Sequence, residues 1–191
     1  MLMGIYRSAA LLAVIVVYYT MDSWLIHRFD KLRRQGSGRS WSYTLAAWAA
    51  GAVLLAQPIW LPQLGLTTSA WWGAAVQVVG AVVIGAALLL HWWSRFTLGQ
   101  FYGERAEVQP GHVLVFGGPY SYVRHPIFTS FFALAIGLLL LAPALTTLLV
   151  VIYVFVDFLG ATEREEKLLA ERLPGYRDYM RKVGRFLPKF G

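Results

Sequence analysis

The sequence predicts an all-α integral membrane bundle of about five transmembrane helices, with an interfacial loop on the cytoplasmic side and an amphipathic C-terminal tail. Three observations carry that expectation. Of 191 residues, 58% are apolar and 14% charged, with a positive mean hydropathy; water-soluble domains average about 45–50% apolar and about 25% charged. Five apolar segments lie at 5–19, 41–60, 70–93, 127–142 and 144–160, where a helix needs roughly 17–25 residues to cross a bilayer. The lysines and arginines fall almost entirely on alternate connections between these segments.

The first segment follows Arg7 and has the look of a leader peptide. The residues after it, Tyr18-Tyr19-Thr20-Met21-Asp22-Ser23-Trp24, offer no small-x-small cleavage site, so a retained first helix is expected. The connection at 28–39 is basic and contains Gly36-Ser37-Gly38, a flexible linker. Ala46, Ala47, Ala49, Ala50, Gly51 and Ala52 in the second span, and Gly73, Gly80, Ala81 and Gly85 in the third, are residues that let helices approach closely in lipid. Gln77 is expected to hydrogen-bond between helices. Trp71, Trp72, Trp92 and Trp93 mark the two interfaces of the third span, and His91 in that belt is read as structural.

Residues 94–126 are too polar to span and too long for an idle turn. They are expected along the interface, leading into a pair of spans hinged at Pro143. Asp157 is the one charge inside a predicted span, expected in a helix-packing hydrogen bond or a salt bridge to an arginine such as Arg124. The tail, 161–191, should begin as a helix, break at Pro174-Gly175 and resume over 177–186, lying on the membrane or closing over the loop. The whole chain reads as one domain, 1–191.

Orientation follows from charge. Arg28, Lys31, Arg33, Arg34 and Arg39 lie in one connection, Arg95, Arg105 and Arg124 in another, and eight cations in the tail, while 61–69 and Pro143 carry none. Five spans put all three basic segments on one side. The positive-inside rule then places the N-terminus outside and the C-terminus in the cytoplasm. Only Arg7 falls elsewhere. The net charge of +7 flanks apolar spans rather than forming a basic face on a soluble fold, which argues against nucleic acid and for anionic lipid headgroups. The absence of cysteine removes disulfides, thiolate metal sites and a cysteine nucleophile together.

The chemistry concentrates between 111 and 166. A loop reading Gly111-His112-Val113-Leu114-Val115-Phe116-Gly117-Gly118-Pro119-Tyr120-Ser121-Tyr122-Val123-Arg124-His125-Pro126 is joined by a membrane-length hairpin to Arg164-Glu165-Glu166, so both polar ends return to one face. Gly117, Gly118 and Pro119 permit a turn with backbone groups free for a ligand. Pro126 suits a first helical turn and so sets His125 at a helix N-terminus, where an anionic group is favoured. Arg124 is fitted to hold a carboxylate, and Glu165 and Glu166 to accept from hydroxyls or an ammonium. Such a set suits a zwitterionic ligand. His112 and His125 lack the i, i+4 spacing and third ligand of a metal site, so no metal is expected.

These residues resemble the isoprenylcysteine carboxyl methyltransferase and phospholipid methyltransferase superfamily of integral-membrane enzymes. The match runs through His112 to Val115, Gly118-Pro119-Tyr120, Arg124-His125-Pro126, Glu165-Glu166 with Leu169, and Tyr176 and Tyr179, covering roughly the C-terminal half. The resemblance implies S-adenosylmethionine as cofactor, held by His112, Val113, Leu114, Val115, Tyr120, His125, Pro126, Ile127, Phe128 and Glu165, with Arg105 near it; Gly118, Pro119 and Arg124 join this set from the loop reading above. Glu165, Glu166 and Arg164 are the catalytic candidates. The acceptor would be a lipophilic or small carboxylate, thiol or amine; a carboxylate needs no base, whereas a thiol or amine must lose a proton to a glutamate or histidine. Two positions depart from the family pattern: Phe128 stands where tyrosine is usual, and Ala161 where an arginine often meets the substrate. The alternatives are an NADPH-dependent membrane reductase of the sterol-reductase type and a non-enzymatic membrane scaffold or carrier.

Overall fold

The computed structural model describes residues 2–29, 41–65, 72–102 and 113–189, without the side chains of 41–44 and 46–47. The linker at 30–40 and the site candidates Arg105 and His112 lie outside the described residues. Six helices are present among them: α1 (Gly4–Phe29), α2 (Trp41–Trp60), α3 (Trp72–Leu98), α4 (Pro126–Leu141), α5 (Leu145–Arg172) and α6 (Tyr176–Lys182). The first five match the five apolar segments. α1, α3 and α5 are long and apolar enough to cross a membrane, and α4 is a shorter apolar helix.

The bundle is built with small and polar groups inside and large apolar ones outside. Val78, Val82, Leu89, Leu149, Ile152 and Val156 face outward, whereas Gln57, Gln77, Ser130, Thr147 and Thr162 are buried. That inversion suits a bilayer, which solvates apolar side chains and leaves close packing to hold helices together. One cluster, Leu11, Leu54, Ile84, Leu141 and Ala142 with Val150 packed on it, draws on all five long helices.

The α3–α4 pair meets through glycine. A Cβ on Gly80 would stand 2.7 Å from the Leu141 nitrogen and 2.9 Å from the Gly137 oxygen; one on Gly137 would stand 2.7 Å from Ile84 Cγ1. The two backbones touch where no side chain intervenes. Gln77 donates to the Leu141 carbonyl at 3.1 Å, the interhelical bond its position suggested.

Two boundaries differ from the sequence reading, those of α1 and α6. α1 runs ten residues past Tyr19 because no glycine or proline interrupts 20–29, and Asp22 on the extension meets Arg95 of α3 at 3.3 Å. As expected of the tail's start, α5 continues as helix through Glu165 and Glu166 to Arg172, and the chain turns at Gly175, whose φ of +81° favours glycine. α6 stops at Lys182 rather than continuing to Phe186, because Val183 turns extended and the chain joins the 123–125 segment. Asp157 is half-buried with no hydrogen bond or ion pair to a described residue, and Arg124 has other partners.

Gly80→Ala should therefore lower the thermal unfolding midpoint in detergent by the equivalent of about 1–3 kcal/mol. Gly85→Ala, with no neighbour within 4 Å, should leave it unchanged. Equal damage from both would show that the α3–α4 contact is not the tight one.

Candidate active site

The hairpin of α4 and α5 returns Glu165 and Glu166 to the loop that precedes α4. His125 occupies the N-terminal capping position of α4, with Pro126 in the first turn, as the proline required. Both ring nitrogens of His125 face carboxylates: Nε2 lies 3.1 Å from Glu166 Oε1 and Nδ1 3.6 Å from Glu165 Oε2. Arg124 adds Nε at 2.9 Å and Nη2 at 2.7 Å to the same Glu166 oxygen.

The other Glu166 oxygen accepts from Arg185, through Nε at 2.9 Å and through Nη2. Glu166 is 4% exposed and fully engaged. It lies past the apolar run of α5, which ends near Gly160. Burial by itself would raise its pKa, but the hydrogen bonds from His125, Arg185 and Arg124 outweigh it and hold the carboxyl well below the usual carboxylate range.

Glu165, one residue earlier and about 100° around the helix, is in the opposite state. His125 is its one polar partner among the described residues, and 35% of its side chain is accessible although protein surrounds it. Its carboxylate thus stays partly open. Burial raises its pKa, His125 opposes, and Glu166 adds to the rise.

The chain after α6 lies across this cluster as a strap. Gly184 pairs in parallel with Val123; Arg124 N–H donates to the Gly184 carbonyl at 2.8 Å and His125 N–H to that of Arg185 at 3.0 Å. Arg124 Nη1 donates to the Met180 carbonyl at 3.0 Å and to that of Val183. Thr129 donates to the Phe186 carbonyl at 3.0 Å, and the Phe186 ring meets Phe132 and His125. A Cβ on Gly184 would fall 1.9 Å from the Leu187 oxygen, so the strap admits only glycine there. Of the two dispositions expected for the tail, closing over the loop is the one observed.

Gly118, Pro119, Tyr120 and Ser121 form a 3₁₀ turn after Gly117. Gly118 has φ +54° and presses against Thr97 and Trp93 of α3. Tyr179 donates to the Tyr120 carbonyl at 2.6 Å. The Tyr120 hydroxyl is buried with no partner, and its pKa is pushed well up by burial first and then by Glu165 and Tyr179, with Arg95 opposing. Val113, Leu114 and Val115 belong to no helix or strand, and no backbone hydrogen bond ties their N–H groups to another described residue. Leu114 packs on Leu173, Tyr176 and Tyr179.

A sequence model of the isoprenylcysteine carboxyl methyltransferase (ICMT) family matches residues 78–171, the span from the second turn of α3 to the end of α5, which carries Tyr120, Arg124, His125, Glu165 and Glu166 but not α6 or the strap. That match, just under half of the chain, supports placement in the isoprenylcysteine carboxyl methyltransferase superfamily. Over 90 residues it is 41% identical to the protein-S-isoprenylcysteine O-methyltransferase of Saccharomyces cerevisiae, covering 44% of this chain and 36% of that one. Over 120 residues it is 28% identical to the nickel-cobalt-cadmium resistance protein NccN of Alcaligenes xylosoxydans xylosoxydans, covering 62% of this chain and 53% of that one. The chain thus spans about half, or less, of the curated relatives it matches. Its fold superposes on the structure of the eukaryotic intramembrane Ras methyltransferase ICMT with a TM-score of 0.71 at 22% identity, covering 96% of this chain and 67% of that one.

Within the matched region, the structure gathers Arg124, His125, Glu165, Glu166 and Tyr120. Ile127 and Phe128 follow in the first turn of α4, with Phe128 packed on His125 and Phe158. Arg164 is not brought in: it is exposed, with Nη1 back over Gly160 on another face of α5. Two residues that the sequence reading did not single out stand at the site. Arg185 is separated from Glu166 by the turn at Gly175, so no local spacing announces it. Arg95 is 1% exposed, holds Asp22 and lies 3.3 Å under the Tyr102 ring, and its Nε and Nη1 have no acceptor. Its signal was present, since Gly73, Gln77, Gly80, Ile84, Ala87, His91, Ser94 and Arg95 form the buried stripe of α3 at helical spacing. Among the described residues no group of three or more His, Asp or Glu side chains is placed to hold a metal ion.

Replacing Glu166 by Ala leaves two arginines and a histidine facing an empty socket, and should destabilise by about 3–5 kcal/mol. Glu165→Ala should cost well under half as much, and similar losses in thermal unfolding would contradict the assignment. The folded pKa of Glu166 lies below its unfolded value of about 4.3. Its contribution is therefore complete above that value and lost as pH falls toward the folded one. The stability gap between wild type and Glu166→Gln should narrow between pH 6 and about pH 3.

Proposed function

We propose that this protein transfers the methyl group of S-adenosylmethionine to a lipophilic or small acceptor, a carboxylate, thiol or amine, at the cytoplasmic membrane interface. The observation that carries the reading is the convergence of Tyr120, Arg124 and His125 on Glu165 and Glu166, within the region that matches the family model. The family likeness and the yeast relative's activity support the reaction type. The basic residues on alternate connections support a cytoplasmic site with the N-terminus outside.

The residues present fit this cofactor. Three buried donors lack partners, the Tyr120 hydroxyl and the Arg95 Nε and Nη1, and suit its carboxylate. The open backbone of Val113, Leu114 and Val115 suits the edge of a ribose or adenine, and Glu165 suits an ammonium or hydroxyl. Bound there, S-adenosylmethionine would supply an electrophilic methyl group on a sulfonium. The protein's part is then orientation, for which well-placed reactants contribute up to about 7–11 kcal/mol. For a thiol or amine acceptor, Glu165, with its raised pKa and open face, is the group suited to take the proton. Glu166 and Arg185 act through others, by fixing Arg124 and His125.

Purified protein should bind S-adenosylhomocysteine in the micromolar range by calorimetry, and Glu165→Gln and His125→Ala should each weaken it by roughly tenfold or more, as expected for a lost bond to a charged group. No heat at millimolar ligand would remove this reading. Because the chain has no cysteine, Gly38→Cys and Lys189→Cys can be probed singly with an impermeant reagent. Both should label from the cytoplasm and Gln63→Cys from the other side; opposite sides for positions 38 and 189 would overturn the orientation.

A further inference from the structure

At the end of the bundle remote from the Arg124–Glu166 cluster, one charge has no explanation in the site already described. Arg7, on the first turn of α1, is 7% exposed, its Nε is sealed without an acceptor, and it makes no hydrogen bond or ion pair to a described residue. Three other buried polar side chains near this end of the bundle are satisfied. Gln77 bonds Leu2 and Leu141, Ser8 donates to the Leu55 carbonyl, and Gln57 donates to that of Leu61.

The chain cannot supply a counter-ion there. A guanidinium stays charged at any accessible pH, and a buried one without a partner is strongly unfavourable. Yet the sequence has no aspartate or glutamate in 1–21, 41–93 or 125–156. The nearest acid along α1 is Asp22, fifteen residues and ~22 Å away, and it belongs to Arg95. Arg7 is also the one cation outside the three basic segments.

What lies beside Arg7 is a second anion-attracting feature. Its Nη1 is 3.7 Å from where a Cβ on Gly65 would stand, and Gly65 pairs with Ala144, the residue that opens the 28-residue α5. Alanine gives that helix start no side-chain cap, so its first amides and the positive end of its dipole are open. Thr146, in the same first turn, buries a hydroxyl with no partner. Guanidinium donors beside an uncapped helix start match the oxygens of a phosphate.

We propose that Arg7 and the start of α5 hold a phosphate group in the leaflet opposite the methyl-transfer site, supplied by a phospholipid headgroup or by free phosphate. The test uses the full chain in phosphate-free maltoside detergent, reading thermal unfolding and native mass spectrometry rather than activity. Dioleoylphosphatidylglycerol should raise the midpoint by roughly 5 °C at saturation and stay bound in the spectrometer, while dioleoylglycerol, which has the same chains without phosphate, should do neither. An equal rise with inorganic phosphate alone identifies the free ion as the source. Arg7→Gln and Arg7→Met should lose the phosphate-dependent rise, and without any phosphate probe Arg7→Met should be at least as stable as wild type. The proposal fails if neither probe raises the midpoint, if wild type and the variants rise equally, or if Arg7→Met is the less stable protein in phosphate-free detergent.

Discussion

One buried carboxylate organises the polar end of this molecule. Glu166 holds Arg124 and His125 at the entry to α4 and Arg185 from the strap after α6, so two separate stretches of chain converge on two oxygens of a third, α5. A carboxylate taken out of water needs just such a set of donors, and the donors need it in turn. The strap's backbone pairing with 123–125 and the closure of Tyr179 onto Tyr120 follow from that convergence.

The same constraint divides two adjacent glutamates. Alike in sequence and about 100° apart on α5, they receive opposite environments: Glu166 is saturated and held ionised, Glu165 is partly open with one histidine partner and a raised pKa. A group locked by three donors is a poor proton acceptor, and an under-coordinated one is available for chemistry. The locked carboxylate and the open one are therefore one residue apart, each fixed by the other's neighbours.

The rest of the bundle supplies rigidity by a different route. Where Gly80 and Gly137 bring α3 and α4 into backbone contact, the pair has little freedom to slide, and α3 carries Arg95, Trp93 and Thr97 beneath the Gly118–Tyr120 turn. Glycine contact in the apolar zone thus sets the position of donors at the polar end.

Composition, span length and charge alternation were enough to determine a multi-pass helical membrane protein, because crossing hydrocarbon imposes a run of apolar residues that little else in a sequence imitates. The Arg124-His125-Pro126 and Glu165-Glu166 motifs, with the hairpin between them, likewise determined that the two polar patches meet. Which glutamate is locked, that Arg164 turns away, that Arg185 reaches back across the Gly175 turn and that Arg95 is sealed beneath Tyr102 were decided only by the fold. Each depends on which face of a helix meets which neighbour, and on contacts between residues far apart along the chain, for which no local spacing exists to be read.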